Sequence, residues 1–155
     1  MEAIVLAGGL GTRLKSVVND IPKPMAPIQN KPFLEYVLTY LQKNGVSKVI
    51  ISVSYQWQKI KDYFGDRFES IILEYSVEKT PLGTGGGIKK ALQFIESNQY
   101  FIINGDTFFD VNLSDLTLNS HNDLLLCLKK MYKFDRYGWS HYWVKNVYLI
   151  RQHNG

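Results

Sequence analysis

Short apolar runs and amphipathic segments alternate along this chain. "AIVLAG" (3–8) is a continuous apolar run ending in glycine, the pattern of a strand buried on both faces. "KPFLEYVLTYLQKNG" (31–45) predicts a helix: Pro32 suits its first turn, Leu34, Val37, Leu38 and Leu41 form one stripe, and Gly45 stops it. "KVIISVSY" (48–55) predicts a second buried strand, "WQKIKDYFG" (57–65) a short helix closed by Gly65, and "SIILEYSVE" (70–78) a third strand. In "GGGIKKALQFIES" (85–97), Ile88, Ala91, Leu92 and Ile95 share a helical face. "YFIINGD" (100–106) predicts a strand ending in a turn, and "DLLLCLKKM" (123–131) one more strand. Strands alternating with amphipathic helices imply right-handed βαβ crossovers. The expected class is α/β: a Rossmann-like three-layer αβα sandwich with a mostly parallel sheet.

In such sheets, ligands bind beyond the carboxyl ends of the strands. Three loops leaving those ends have unusual residues: "AGGLGTR" (7–13), "EKTPLGTGGG" (78–87) and "NGDTFFD" (104–110). If their strands are neighbours, the three line one crevice.

The chain of 155 residues suits one domain with a proper core, and 45% hydrophobic with 21% charged residues are globular values. No apolar run approaches bilayer length, and Glu2 stands where a signal peptide would carry positive charge, so a cytoplasmic protein is expected. The single cysteine, Cys127, lies in "LLLCL" and reads as a buried, inert thiol. The net charge of +4 is local: residues 129–155 hold six of the 18 basic residues and one of the 14 acidic ones. The glycine-rich part is nearly neutral, so the overall charge does not point to a nucleic-acid partner.

The first loop suits phosphate. It lacks the Walker A spacing and its lysine, and Leu14 occupies the third-glycine position of a dinucleotide fingerprint. Gly8, Gly9 and Gly11 allow a tight turn that offers N–H groups to anionic oxygens, and Arg13 adds a planar fork. Lys23, between Pro22 and Pro24, is a cation on a stiffened segment. The second loop reads as a backbone wall against which a flat base can lie, or simply as a flexible helix start. Asp106 follows a strand and a glycine, where a carboxylate can hold a divalent cation; a plain Asn-Gly-Asp turn is the alternative.

Together, "LAGGLGTRL…PKPM", "PLGTGGGI" and "NGD" resemble the sugar-phosphate nucleotidyltransferases. The fuller runs "NDIPKPMAPI…KPFLEY", "SVEKTPLGTGGGIKKAL" and "NGDTFFDV…FDRYG" are most similar to the D-glycero-D-manno-heptose 1-phosphate guanylyltransferases, over roughly residues 1–138. The resemblance implies the nucleotidyltransferase fold and transfer of GMP from GTP to a sugar 1-phosphate, releasing pyrophosphate, in precursor synthesis for a surface polysaccharide such as lipopolysaccharide or capsule. It implies Mg²⁺ as cofactor, nucleoside triphosphate and sugar 1-phosphate as partners, and neither nucleic acid nor membrane; a homo-oligomer is compatible with it. Mannose 1-phosphate with GTP, a uridylyl transfer, or a nucleotide-binding module without turnover are the alternatives.

On matching positions, the resemblance implies that Arg13 grips the triphosphate, Lys23 bridges toward the α-phosphate and the sugar phosphate, and Asp106 holds Mg²⁺. Leu6, Ala7 and Gly8 would support the base from one side and Gly83 and Thr84 from the other. Gly9, Gly11, Thr12, Pro81 and Gly105 complete the implied nucleotide site. Glu78 accepts hydrogen bonds only. Guanine offers it adjacent N1–H and N2–H donors, whereas uracil offers one N–H between carbonyls, so a carboxylate here favours GTP. A solvated charge at a strand end is the other reading of Glu78. Tyr137 and Gly138 are the implied sugar contacts, and Asp110 is expected either to contact sugar or to help order the third loop.

The likeness stops after Tyr137 and Gly138. Residues 1–138 therefore read as the NTP-binding domain and 139–155 as an atypical basic, aromatic tail, because "WSHYWVKNVYLIRQHNG" has no strand-turn-strand punctuation. Such a C-terminally shortened fold is expected to leave sheet edges uncovered and to give the metal one carboxylate. The tail's mix of aromatics and cations would also suit a single-stranded nucleic acid, but no binding fold accompanies it. His121, His141 and His153 are too far apart for a metal motif. Gly87, where the family usually has a small non-glycine residue, is expected to cost only helix stability.

Overall fold

A computed structural model describes residues 1–9, 21–108, 110–131 and 142–151. Its strands are β1 (Glu2–Leu6), β2 (Pro27–Ile28), β3 (Lys31–Pro32), β4 (Lys48–Val53), β5 (Arg67–Phe68), β6 (Ile71–Val77), β7 (Gln99–Asn104), β8 (Leu124–Met131) and β9 (Tyr142–Arg151). The helices are α1 (Phe33–Lys43), α2 (Trp57–Phe64) and α3 (Gly83–Ala91), the last continued by a 3-10 turn, Leu92–Phe94. β2 and β3 form a separate small hairpin, and the other strands make one sheet in the order β5-β6-β4-β1-β7-β9-β8.

β6, β4, β1 and β7 run parallel to one another, as apolar strands linked by helices do. On one face of the sheet, Val5, Ile51, Val53 and Ile103 pack with the α1 stripe of Leu34, Val37, Leu38 and Leu41 and with Ile60 and Phe64 of α2. On the other, Ile4, Ile50 and Ile102 pack with Ala91 and Ile95. That makes the three-layer α/β sandwich expected from the sequence. The predicted third helix is shorter than its apolar stripe: Ile95 is already extended, yet it still covers the α3 face. Among the described residues, no helix is long and apolar enough to cross a membrane.

The reading of the C-terminal stretch needs correction. Residues 142–151 form β9, antiparallel to β7 on one side and to β8 on the other. β7 is therefore not left as an uncovered edge. The strand escaped notice because both faces of its 147–150 part are apolar: Val147 and Leu149 are buried against the α1 side, while Tyr148 and Ile150 join the α3 side. No polar alternation marks it, and the aromatic and basic residues before it hide its start.

Candidate functional site

β1 is the strand where the winding of the sheet reverses, because β4 and β7 flank it on opposite sides. Loops leaving the carboxyl ends of two such strands diverge, so a crevice opens between them. A cleft of about 430 Å³ lies there.

Register assembles its floor. Leu6 lies opposite Ser52 of β4 and Asn104 of β7, so all three face the same side of the sheet. The backbone then holds each loop to its neighbour. Ala7 N donates to Ser52 O at 2.8 Å and Gly105 N to Leu6 O at 2.9 Å. The Ser54 hydroxyl donates to Gly8 O at 2.6 Å. Gly105 lies so close to β1 that a Cβ there would sit 2.8 Å from Leu6 O. A side chain would push the third loop away from the first.

From the first loop, Leu6, Ala7, Gly8 and Gly9 line the cleft. Lys23 enters from a 3-10 turn, Lys23–Met25, whose N-cap is Pro22 and whose Pro24 is buried. From the second loop come Glu78, Pro81, Gly83 and Thr84, where Gly83 takes φ +69° at the start of α3, a conformation costly for a side chain bearing Cβ. Asp106 enters from the third. Lys23 Nζ lies 3.8 Å from Asp106 Oδ2, so a cation and a carboxylate from distant segments share one wall.

Glu78 is held rather than free. Its Oε2 accepts from Leu82 N at 2.9 Å and its Oε1 from the Ser52 hydroxyl at 3.2 Å, while its own N–H donates to Val53 O at 2.7 Å. The carboxylate thus caps the start of α3, where a negative charge suits the exposed N–H groups.

Gly11, Thr12, Arg13, Tyr137 and Gly138 lie outside the described residues. Gly105 ties two loops together beneath the cleft. Asp110 is exposed and does not line it. The stretch after Asp110 is instead pinned to α1: the Tyr40 phenol donates to Val111 O at 2.6 Å, and burial pushes that phenol up to about 12, so it remains a donor. Sequence reasoning missed Ser52, Asn104, Pro24 and Gly87, all of which line the cleft. Ser52, a hydroxyl in an apolar strand, was the available signal. Gly87 also needs correction: a Cβ there would lie 2.6 Å from Glu78 Oε1, so this glycine makes room for a carboxylate besides loosening a helix.

Among the described residues, no group of three or more His, Cys, Asp or Glu side chains is arranged to hold a metal ion. A lone, half-exposed carboxylate still fits Mg²⁺, which keeps several waters and takes one or two carboxylates beside phosphate oxygens. Asp106 is the residue that would hold it.

The family pattern described as "Nucleotidyl transferase" matches residues 2–132. The chain belongs to that family. Among family members, it is 57% identical over 138 residues to D-glycero-alpha-D-manno-heptose 1-phosphate guanylyltransferase of Campylobacter jejuni, and 52% identical over 141 residues to the protein of the same name from Aneurinibacillus thermoaerophilus. These alignments cover 89% of this chain but 62% and 61% of the two relatives, so the chain spans under two thirds of their length. The crystal structure of HddC from Yersinia pseudotuberculosis complexed with GMP-PN is 34% identical, with a TM-score of 0.79 over 97% of this chain and 76% of that one. The inositol-1-phosphate CTP transferase of T. maritima, at 22% identity and a TM-score of 0.73, shares the fold.

Proposed function

We propose that the cleft binds GTP and supports transfer of its GMP to D-glycero-D-manno-heptose 1-phosphate, giving the GDP-sugar and pyrophosphate. The observation that carries this reading is the meeting of Lys23, Asp106 and Glu78 at one crevice, two groups suited to phosphate chemistry and one to a base. Identity above 50% to two heptose 1-phosphate guanylyltransferases supports the substrate, and the likeness to HddC with GMP-PN supports the nucleotide.

An oxygen of the sugar 1-phosphate attacks the α-phosphorus. A new P–O bond forms as the bond to the bridging oxygen breaks, and its electron pair leaves with pyrophosphate. Both reactants are polyanions, so the protein's task is in-line positioning and neutralisation of charge rather than covalent chemistry. Gly8 and Gly9 let the backbone approach the phosphates closely. Lys23, in the cleft wall beside Asp106, balances charge at the reacting phosphorus, and Arg13, by its place in the first motif, holds the triphosphate. A bound Mg²⁺ would supply Lewis-acid neutralisation of phosphate oxygens beside Asp106. Glu78 selects guanine through its two adjacent acceptors, with Pro81, Gly83 and Thr84 beside the base. Cytoplasmic localisation follows from the same proposal, since GTP is found there.

Pyrophosphate release measured with GTP, Mg²⁺ and a panel of sugar 1-phosphates tests this. Release that depends on the heptose 1-phosphate and exceeds that with mannose 1-phosphate is expected. Preference for UTP, or GTP binding without turnover on any sugar, would overturn it.

A further inference from the structure

Two glycines from different loops converge on one oxygen atom. A Cβ built on Gly87 of α3 would lie 2.6 Å from Glu78 Oε1, and one built on Gly8 would lie 3.3 Å from the same atom. The first distance is below any ordinary contact and the second is tight. The Ser52 hydroxyl, which donates to this oxygen, would itself be 3.1 Å from a Cβ on Gly87. Gly85, two residues earlier in the same helix, has nothing within 4 Å of its added Cβ. A Cβ on Gly86 would meet a different group, Leu82 Cβ at 2.7 Å, so among the described glycines it is Gly8 and Gly87 whose added Cβ atoms crowd the Glu78 carboxylate.

We infer that Gly8 and Gly87 form a notch that seats the Glu78 carboxylate, with the Ser52 hydroxyl and the Leu82 N–H as its latches, and that this seating gives the cleft its preference for guanine. The inference rests on the guanylyl reading above and assigns positioning roles to Ser52, Gly8 and Gly87. A carboxylate offers about four lone-pair directions. The two latches engage one on each oxygen, which leaves one on each for a ligand. Guanine presents two adjacent N–H donors and matches that pair. Uracil turns carbonyl oxygens toward it, and adenine sets an acceptor beside its single donor group. An unlatched glutamate could rotate away and avoid that repulsion, so discrimination requires the carboxylate to be fixed before the base arrives. A glycine within α3 lowers helix propensity, so a purely structural role would make Gly87→Ala stabilising.

Binding of GTP and UTP by calorimetry, together with melting temperature, is compared across wild type, Gly85→Ala, Gly87→Ala, Glu78→Ala and the Gly87→Ala/Glu78→Ala double variant. Gly85→Ala should raise the melting temperature and keep the wild-type affinity ratio. Gly87→Ala should lower the GTP-over-UTP ratio about tenfold or more, the scale of a lost charge-assisted hydrogen bond. Its melting temperature should gain less than that of Gly85→Ala. With Glu78 already alanine, adding Gly87→Ala should raise the melting temperature as Gly85→Ala does and leave the ratio unchanged. A Gly87→Ala protein with the wild-type ratio overturns the inference. If wild type itself shows no preference for GTP, the guanine assignment falls. The melting temperatures then decide the notch alone: coupling between positions 78 and 87 supports it, and additive effects overturn it.

Discussion

The Lys23 ammonium lies 3.8 Å from the Asp106 carboxylate in the wall of the cleft, beyond hydrogen-bond length and with both side chains partly open to solvent. An exposed pair of this kind is worth about 0–1 kcal/mol to the fold. Its separation and exposure suit two groups that can turn toward a ligand.

Lys23→Ala and Asp106→Ala should therefore leave the melting temperature close to wild type and slow pyrophosphate release about 10²–10³-fold each, the usual effect of removing one preorganised charge partner. Arg13→Ala should do the same by virtue of its motif. Rates within tenfold of wild type would remove these residues from the reaction.

Chelating divalent cations should stop turnover, and Asp106→Asn should move the Mg²⁺ dependence to higher concentration, because the neutral amide is a weaker ligand for a hard cation. A Mg²⁺ titration of initial rates on both proteins measures this. An unchanged titration would leave Asp106 without a metal role.

Glu78→Gln replaces an acceptor pair with one acceptor and one donor, which clashes with one guanine N–H. GTP affinity should fall about tenfold or more relative to UTP. Competition of the two nucleotides for wild type and variant reads this directly, and equal discrimination in both would return Glu78 to a helix-capping role.

Far from the cleft, buried Glu2 accepts from Glu96 N at 2.8 Å and Ser97 N at 2.7 Å, with Lys48 Nζ at 3.9 Å. Burial pushes its carboxyl up, but these N–H groups and the lysine together outweigh burial and hold it below the ordinary carboxylate value. A depressed folded-state value means stability that is present above the unfolded group's range, about pH 4.3, and is lost as pH falls through the folded value. Glu2→Gln should cost about 1.5–3 kcal/mol at pH 7 and flatten the acid limb of denaturation curves below about pH 4.5. A limb as steep as wild type would assign acid sensitivity to other carboxylates.

Cys127 is buried in β8, and burial pushes its thiol up. Native protein should react with a thiol reagent far more slowly than denatured protein, since the thiolate is the reacting form. Rapid native labelling would mean that β8 opens readily.

Legibility followed local physics. β1, β4 and β7 could be read because strands buried on both faces are largely apolar, β6 because its apolar start survives an exposed Ile72, and α1 because Leu34, Val37, Leu38 and Leu41 recur at helical spacing. Three strand-end loops pointing to one mouth follow from parallel topology, and Lys23, Glu78 and Asp106 do meet there. β9 could not be read, because its pairing lies between β7 and β8 and leaves no alternation of apolar and polar residues behind. Asp110 carries the right chemistry in the right loop, yet it stays out of the cleft while Tyr40 pins its neighbour to α1.

The amino-acid order by itself determined the layered α/β class, the glycine-rich loops and the charged groups they carry, because period, turn propensity and charge are properties of neighbours in the chain. Only the tertiary structure decided that Gly8 and Gly87 leave space for one oxygen of Glu78, that Ser52 donates to that oxygen, and that β9 closes the sheet beside β7. Steric room and cross-sheet register are distances between segments remote in sequence, and they exist only once the chain has folded.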